Sequence, residues 1–170
     1  MSAPMNTTGT EVSIREFAAG DEIAFRKLNE EWIARYFKLE AKDEEALGDP
    51  RNSILAHGGR IFFAIRNGRT VGCCALVAAG AGDYEVAKMA VTESAQGKGI
   101  GRRLLEAVIA EARSAGARRL HLETNHALTP AIRLYESVGF QHIPPARRVS
   151  SDYARSDVQM ELVFEPANWI

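Results

Sequence analysis

The chain has 170 residues, with 21 basic and 22 acidic side chains interspersed and a formal net charge of −1. That length fits one domain with a sizeable core, and the charge excludes the one-signed field that nucleic-acid binding needs. No apolar run approaches a membrane span, and the opening MSAPMNTTGT lacks the charged-then-apolar plan of a signal peptide.

Residues 1–9 therefore read as a flexible tail and 10–170 as the domain. Across 10–17, Val12 and Ile14 alternate with polar residues, the pattern of a strand. Over 21–39 the spacing of Phe25, Leu28, Trp32 and Tyr36 by threes and fours predicts an amphipathic helix. Asp43 and the pair Asp49-Pro50 are expected to cap two short helices, the second with proline in its first turn, ending at Gly58-Gly59. Asn67-Gly68, between apolar runs at 61–65 and 71–79, signals a hairpin. A fourth strand follows over 83–91. The helix over 101–115 gathers Leu104, Leu105, Val108, Ile109 and Ala112 on one face and stops at Gly116. A fifth strand is expected at 118–123, then a helix capped at Thr129-Pro130 and carrying Tyr135, then strands at 139–143 and 158–164. The result is a single α/β (α+β) domain, its mixed, mostly antiparallel seven-stranded sheet flanked by helices. Cys73 and Cys74 are adjacent, so they cannot staple the fold. Packing in a strand is their expected role, and a reduced cytoplasm the expected compartment.

The segment with the most chemistry follows the fourth strand, where Gln96-Gly97-Lys98-Gly99-Ile100-Gly101 opens a helix. Alternating glycines leave backbone N–H groups uncovered, and the helix dipole behind them favours a phosphate or pyrophosphate. A Walker-type loop needs Ser or Thr after the lysine, and Gly99 stands there. A dinucleotide fingerprint would explain Glu123 about twenty residues on, but its third glycine position is Arg102 and Thr92 to Gln96 separate strand from glycines. The loop does match (Gln/Arg)-x-x-Gly-x-(Gly/Ala) at each defined position. Downstream, Ala131-Ile132-Arg133-Leu134-Tyr135-Glu136-Ser137-Val138-Gly139-Phe140 matches A-x-x-L/F-Y-x-x-x-G-F. By these two motifs, in this order, the chain resembles the GNAT superfamily of N-acetyltransferases over roughly 61–164. Segments 32–50 and 151–161 further resemble an uncharacterised bacterial subgroup sometimes fused to MarR-type regulators.

The resemblance implies strands four and five splayed apart, acetyl-CoA as donor, and direct attack by an amine on its thioester in a ternary complex. It implies pyrophosphate contacts from Gln96, Gly97, Lys98, Gly99, Ile100, Gly101 and Arg102, with charge added by Lys98 and by Arg102 or Arg103. The pantetheine arm would pair along Met89, Ala90 and Val91, with the Met89 N–H polarising the thioester carbonyl. Tyr135 matches the acid that protonates the leaving thiolate. Many relatives carry Asn three residues before the motif alanine; Leu128 stands there, and Asn125 is the nearby substitute. Glu85 matches the glutamate base, needed because an alkylamine is protonated at neutral pH; the competing reading pairs it with Lys88 or Arg133.

The acceptor is expected to be the primary amine of a small molecule, bound by Trp32, Tyr36 and Glu40 beside Phe37 and by Tyr153 and Arg155 in the polar run 150–157. Arg155 would either clamp a carboxylate or pair with Asp152 or Asp157. The alternatives are a protein or peptide acetyltransferase and a non-catalytic acetyl-CoA sensor. Neither nucleic acid nor membrane is an expected partner, and the protein is expected as a monomer or homodimer. His121 and His126 straddle a strand end with no Cys or Asp cluster, and His57 and His142 read as structural, so no metal is assigned.

Overall fold

Along Ile61-Phe62-Phe63-Ala64 the side chains point alternately to opposite faces, yet all four are buried, so this strand must lie in a sheet covered on both sides. The structure, a computed structural model, describes residues 11–165 and bears this out; the expected tail at 1–9 lies outside those residues. Seven strands, β1 (Val12–Glu16), β2 (Arg60–Arg66), β3 (Arg69–Gly80), β4 (Asp83–Val91), β5 (Arg119–Thr124), β6 (Gln141–His142) and β7 (Val158–Val163), form one sheet in the order β1-β2-β3-β4-β5-β7-β6. Every neighbouring pair is antiparallel except β4–β5. Asn67 and Gly68 turn β2 into β3 with φ of 51° and 72°, the two positive values a tight hairpin requires.

Helices α1 (Glu22–Tyr36), α2 (Ala41–Gly48) and α3 (Pro50–Ser53) cover one face, while α4 (Ile100–Ser114) and α5 (Thr129–Ser137) cover the other. Phe25, Ile33, Ile61, Phe63 and Cys73 pack on the α1 side; Phe62, Cys74, Leu104, Leu105 and Val108 pack on the α4 side. The adjacent cysteines thus serve opposite cores, and burial pushes the Cys73 thiol up to about 12. Asp49 caps α3 as expected, accepting from Asn52 N. Asp43 does not cap α2. That helix begins two residues earlier, Glu40 is its cap, and the Asp43 carboxylate reaches back to the Glu40 N–H at 2.9 Å, completing a capping box. The first helix stops at Tyr36 and the sixth strand is only Gln141–His142, both shorter than expected.

Two irregularities position the site. The ladder between β3 and β4 slips between Cys73 and Ala75, with Lys88 in the left-handed region at φ 52°. The parallel ladder of β4 with β5 stops at Glu85↔His121. Beyond that pair the strands diverge and the far edge of β4 is left open.

Candidate active site

A cavity of about 560 Å³ fills the divergence, lined by β4 from Glu85 to Val91 and by the glycine loop. No backbone hydrogen bond among the described residues engages the N–H groups of 97–102. Gly97 and Gly99 have φ of 76° and 78°, which only glycine adopts without strain. A Cβ at either would meet nothing of the protein within 4 Å, so the space in front of the loop is open. At Gly101 a Cβ would come within 3.2 Å of Leu134 Cδ2, so this glycine serves the approach of α4 to α5. Gln96 folds the loop by donating to Val91 O at 3.0 Å. These residues fit a pyrophosphate-bearing group: six uncovered donors at a helix N-terminus with room before them.

The expected side-chain cations fit less well. Lys98 turns away from the cavity and lines a separate hollow with Arg66, Arg69 and Ser94. Its ammonium donates to Ser94 O at 3.4 Å. Arg103 reaches back to the carbonyl of Val12 at β1. Arg102 does line the cavity, donating to Ser137 Oγ at 2.6 Å.

Tyr135 stands on the α4 side of the opening, its ring edge-on to Phe140 with centroids 6.0 Å apart. It is 8% exposed and lines the cavity, and no hydrogen bond among the described residues engages its hydroxyl. Burial, with a smaller contribution from Cys74, raises its pKa above that of an ordinary phenol, so it stays protonated. Glu85 lies on the α1 side, since its cross-strand partner Val77 packs into that core. Burial raises its pKa above that of an ordinary glutamate; His121 opposes this and neighbouring Glu123 adds to it. The expected pairing with Lys88 or Arg133 does not form. Its nearest cation-capable neighbour is His121, with Nε2 3.9 Å from Glu85 Oε2 and Nδ1 3.0 Å from Asp83 Oδ1. Met89, Ala90 and Val91 lie on the stretch of β4 that β5 leaves unpaired and line the cavity. Asn125 also lines the cavity, but it holds a loop together, donating to Arg155 O at 2.8 Å and accepting from Ala127 N.

The remaining wall is built by α1 and by the segment before β7. Trp32, Tyr36 and Phe37 line it, Trp32 donating to Asn29 Oδ1 at 3.1 Å. Lys88 Nζ donates to Asp43 Oδ1 at 2.8 Å and to the Tyr153 hydroxyl at 2.9 Å. Arg155 clasps both Asp43 oxygens at 2.6 and 2.7 Å and reaches Glu40 at 3.3 Å. Its partners are therefore α2 acids and not Asp152 or Asp157, the latter being bonded to His126. Burial alone would raise the Asp43 carboxyl, but the bonds from Arg155, Lys88 and the Glu40 N–H outweigh it and hold the group at about 2. Burial lowers the Lys88 ammonium against the pull of Asp43. With two cations on one carboxylate, Asp43 is the ionised centre of the cluster. Glu40 is not on the cavity wall: it caps α2 and accepts from Ala154 N at 2.8 Å, fastening the 150–157 segment to that helix.

The model of the acetyltransferase (GNAT) family matches residues 24–140, which include both the glycine loop and Tyr135. The chain belongs to the acetyltransferase (GNAT) family. A curated IAA acetyltransferase of Azospirillum brasilense is 45% identical over 82 residues, 48% of this chain and 54% of that protein. The chain spans between 35% and 54% of the length of the first three curated relatives it matches. Among solved structures, a GNAT-family acetyltransferase of Staphylococcus aureus Mu50 superposes with a TM-score of 0.83 at 19% identity, covering 91% of this chain and 100% of that one. The yncA protein of Salmonella typhimurium, solved with its cofactor acetyl-CoA, superposes at 0.72 with 22% identity over 95% and 98% of the two chains. These likenesses establish the GNAT fold of the chain.

Sequence reasoning missed three residues of this GNAT site. Glu123 lines the cavity beside Ser156, which donates to it at 3.2 Å. Lys88 and Asp43 form the buried pair behind Tyr153. The signal for Lys88 was present: a lone cation inside the apolar strand run Val86-Ala87-Lys88-Met89-Ala90-Val91 implies a buried partner.

Proposed function

We propose that the protein is an N-acetyltransferase that moves the acetyl group of acetyl-CoA to a primary amine of a small molecule by direct attack in a ternary complex. One observation carries the reading: the cavity at the splay joins the free N–H groups of 97–102, the open edge of β4, Tyr135 and Glu85. The cofactor's pyrophosphate would rest on the glycine loop and its amide arm would pair with Met89, Ala90 and Val91 as an added strand. The curated and structural relatives named as acetyltransferases, one of them bound to acetyl-CoA, support the choice of donor.

The chemistry follows from where the two carriers of protons sit. The acceptor arrives as an ammonium and must lose a proton, which Glu85 is positioned to take; its raised pKa brings it nearer to the operating pH of a general base. The amine nitrogen then bonds to the thioester carbon, the carbon–sulfur bond breaks as the leaving thiolate takes the Tyr135 proton, and the second proton shed by the nitrogen as the neutral amide forms restores the Tyr135 hydroxyl through water. Tyr135 lies on the α4 side of the sheet and Glu85 on the α1 side, so donor and acceptor meet through the splay. The 150–157 segment, bound to α2 through Glu40 and Asp43, closes the acceptor wall, which suits a small molecule better than a peptide. The test is thiol release from acetyl-CoA across amines, amino acids and peptides, with product mass measured. Peptide acetylation alone, with no small amine turned over, would overturn the acceptor class, and the absence of any acetylated product would overturn the reaction.

A further inference from the structure

We infer that the acceptor is a primary amine without a carboxylate of its own, carried on an apolar or aromatic body. This rests on reading the cavity as a transferase site and adds the charge class of what it takes. A site that selects a carboxylate needs a cation with free donors, and an arginine fork is the usual device. Two cations, Lys88 and Arg155, stand on the acceptor wall, and both are already ion-paired. Lys88 Nζ is bonded to Asp43 at 2.8 Å and to Tyr153 at 2.9 Å. Arg155 is bonded to both Asp43 oxygens at 2.6 and 2.7 Å and to Glu40 at 3.3 Å.

Two cations thus meet two carboxylates, and the cluster is neutral as a unit. Opening it to receive a new anion would be costly. The Asp43 side chain is 0% exposed, Lys88 5% and Arg155 12%, and withdrawing either cation would strand a buried charge. The flat face of Arg155 is taken as well, its Cζ lying 4.5 Å from the Tyr153 ring centroid and 5.7 Å from that of Trp32.

The charges left over are acidic. Glu123 has a hydroxyl donor in Ser156 and no salt bridge among the described residues, and Glu85 has no salt bridge but the one to His121 at 3.9 Å, with Lys88 and Lys42 acting on it only at longer range. An ammonium is attracted there, whereas an α-carboxylate beside it would be repelled by both and matched by nothing. The rest of the wall is aromatic, from Trp32, Tyr36, Phe37 and Tyr153, which suits an apolar body.

Pairs of amines differing by one carboxylate test this: tyramine against tyrosine, and phenethylamine against phenylalanine. Calorimetry on the coenzyme A-loaded protein gives their affinities, and thiol release gives their turnover. The carboxylate-free member should bind at least tenfold more tightly in each pair. Glu123→Gln should narrow that gap by weakening the amine. Asp43→Asn, if it folds, should narrow it by freeing the two cations. Equal or tighter binding of the amino acids overturns the inference, as does failure of all four compounds to bind. Tight amine binding without acetyl transfer would instead refute the transferase reading and leave the charge argument standing.

Discussion

Replacing Tyr135 with phenylalanine separates the packing of this residue from its chemistry. The ring is buried against Phe140, while the hydroxyl opens on the cavity without a partner among the described residues. Tyr135→Phe therefore removes no intramolecular hydrogen bond and leaves no unsatisfied group, so stability should stay within about 0.5 kcal/mol of the parent. Acetyl-CoA affinity should also survive, because the loop donors at 97–102 are untouched. Turnover should not. The leaving thiolate is the conjugate base of a thiol with a pKa of about 8.5, and the buried phenol holds its proton until charge develops on sulfur. General-acid assistance contributes about 10²–10⁴-fold. With water partly substituting, a loss of at least about tenfold in kcat, about 1.4 kcal/mol of barrier, is expected. The assay is thiol release at saturating acetyl-CoA, with cofactor affinity by calorimetry and Tm measured on the same preparation. Full turnover with the phenylalanine would remove the hydroxyl from the mechanism. Loss of turnover together with loss of Tm would show instead that the ring environment had collapsed.

Glu85→Gln should lower kcat most near neutral pH and recover in part at high pH, where free amine is abundant; a pH profile identical to the parent would assign deprotonation elsewhere. Because burial raises the Glu85 pKa, the acid limb of the parent profile should lie above the pKa of an ordinary glutamate, activity falling as pH drops through it. Gly99→Val forces a β-branched residue to φ 78° at a cost of about 1–2 kcal/mol and puts methyls in the open space before the loop, so acetyl-CoA should bind more weakly; calorimetry showing unchanged affinity would refute the pyrophosphate placement. Asp43 has a folded pKa of about 2 against 3.8 as a free side chain, a depression worth about 2 kcal/mol. That stability is present above pH 4 and is lost as pH falls through about 2, so Tm should drop over this window in the parent and less steeply in Asp43→Asn; parallel curves would refute it.

What could be read from the chain was local. The glycine loop works through its own backbone, the Asn67-Gly68 turn through two adjacent residues, and the buried face of α4 through spacings of three and four. The proposed acceptor wall could not be read this way. Asp43 is 45 residues from Lys88 and 112 from Arg155 in sequence, and an aspartate ahead of a short helix is ordinarily its cap. Asp152 and Asp157 flank Arg155 closely enough to look like its partners, yet the fold brings a more buried acid. Lys98 shows the same limit within a single loop. Its backbone belongs to the loop proposed to cradle the pyrophosphate, but its side chain leaves the cavity for the carbonyl of Ser94.

The bulge at Lys88 joins the two halves of the site. Before it, Tyr84 and Val86 pack on the α4 side of the sheet, so Glu85 points to the α1 side. In a regular strand Lys88 would follow Val86 into the α4 core, an apolar cluster with no counter-charge. One extra residue opposite Cys74 reverses the alternation. Lys88 now meets Asp43, while Met89 and Val91 join the α4 side beside the glycine loop and Tyr135. The left-handed backbone costs about 1–2 kcal/mol, and it is offset by the charge-assisted bonds of Lys88 to Asp43 and Tyr153. In return, one strand presents Glu85 and Lys88 on one face of the sheet and Met89 and Val91, the edge proposed for the cofactor, on the other, at the point where β5 has turned away.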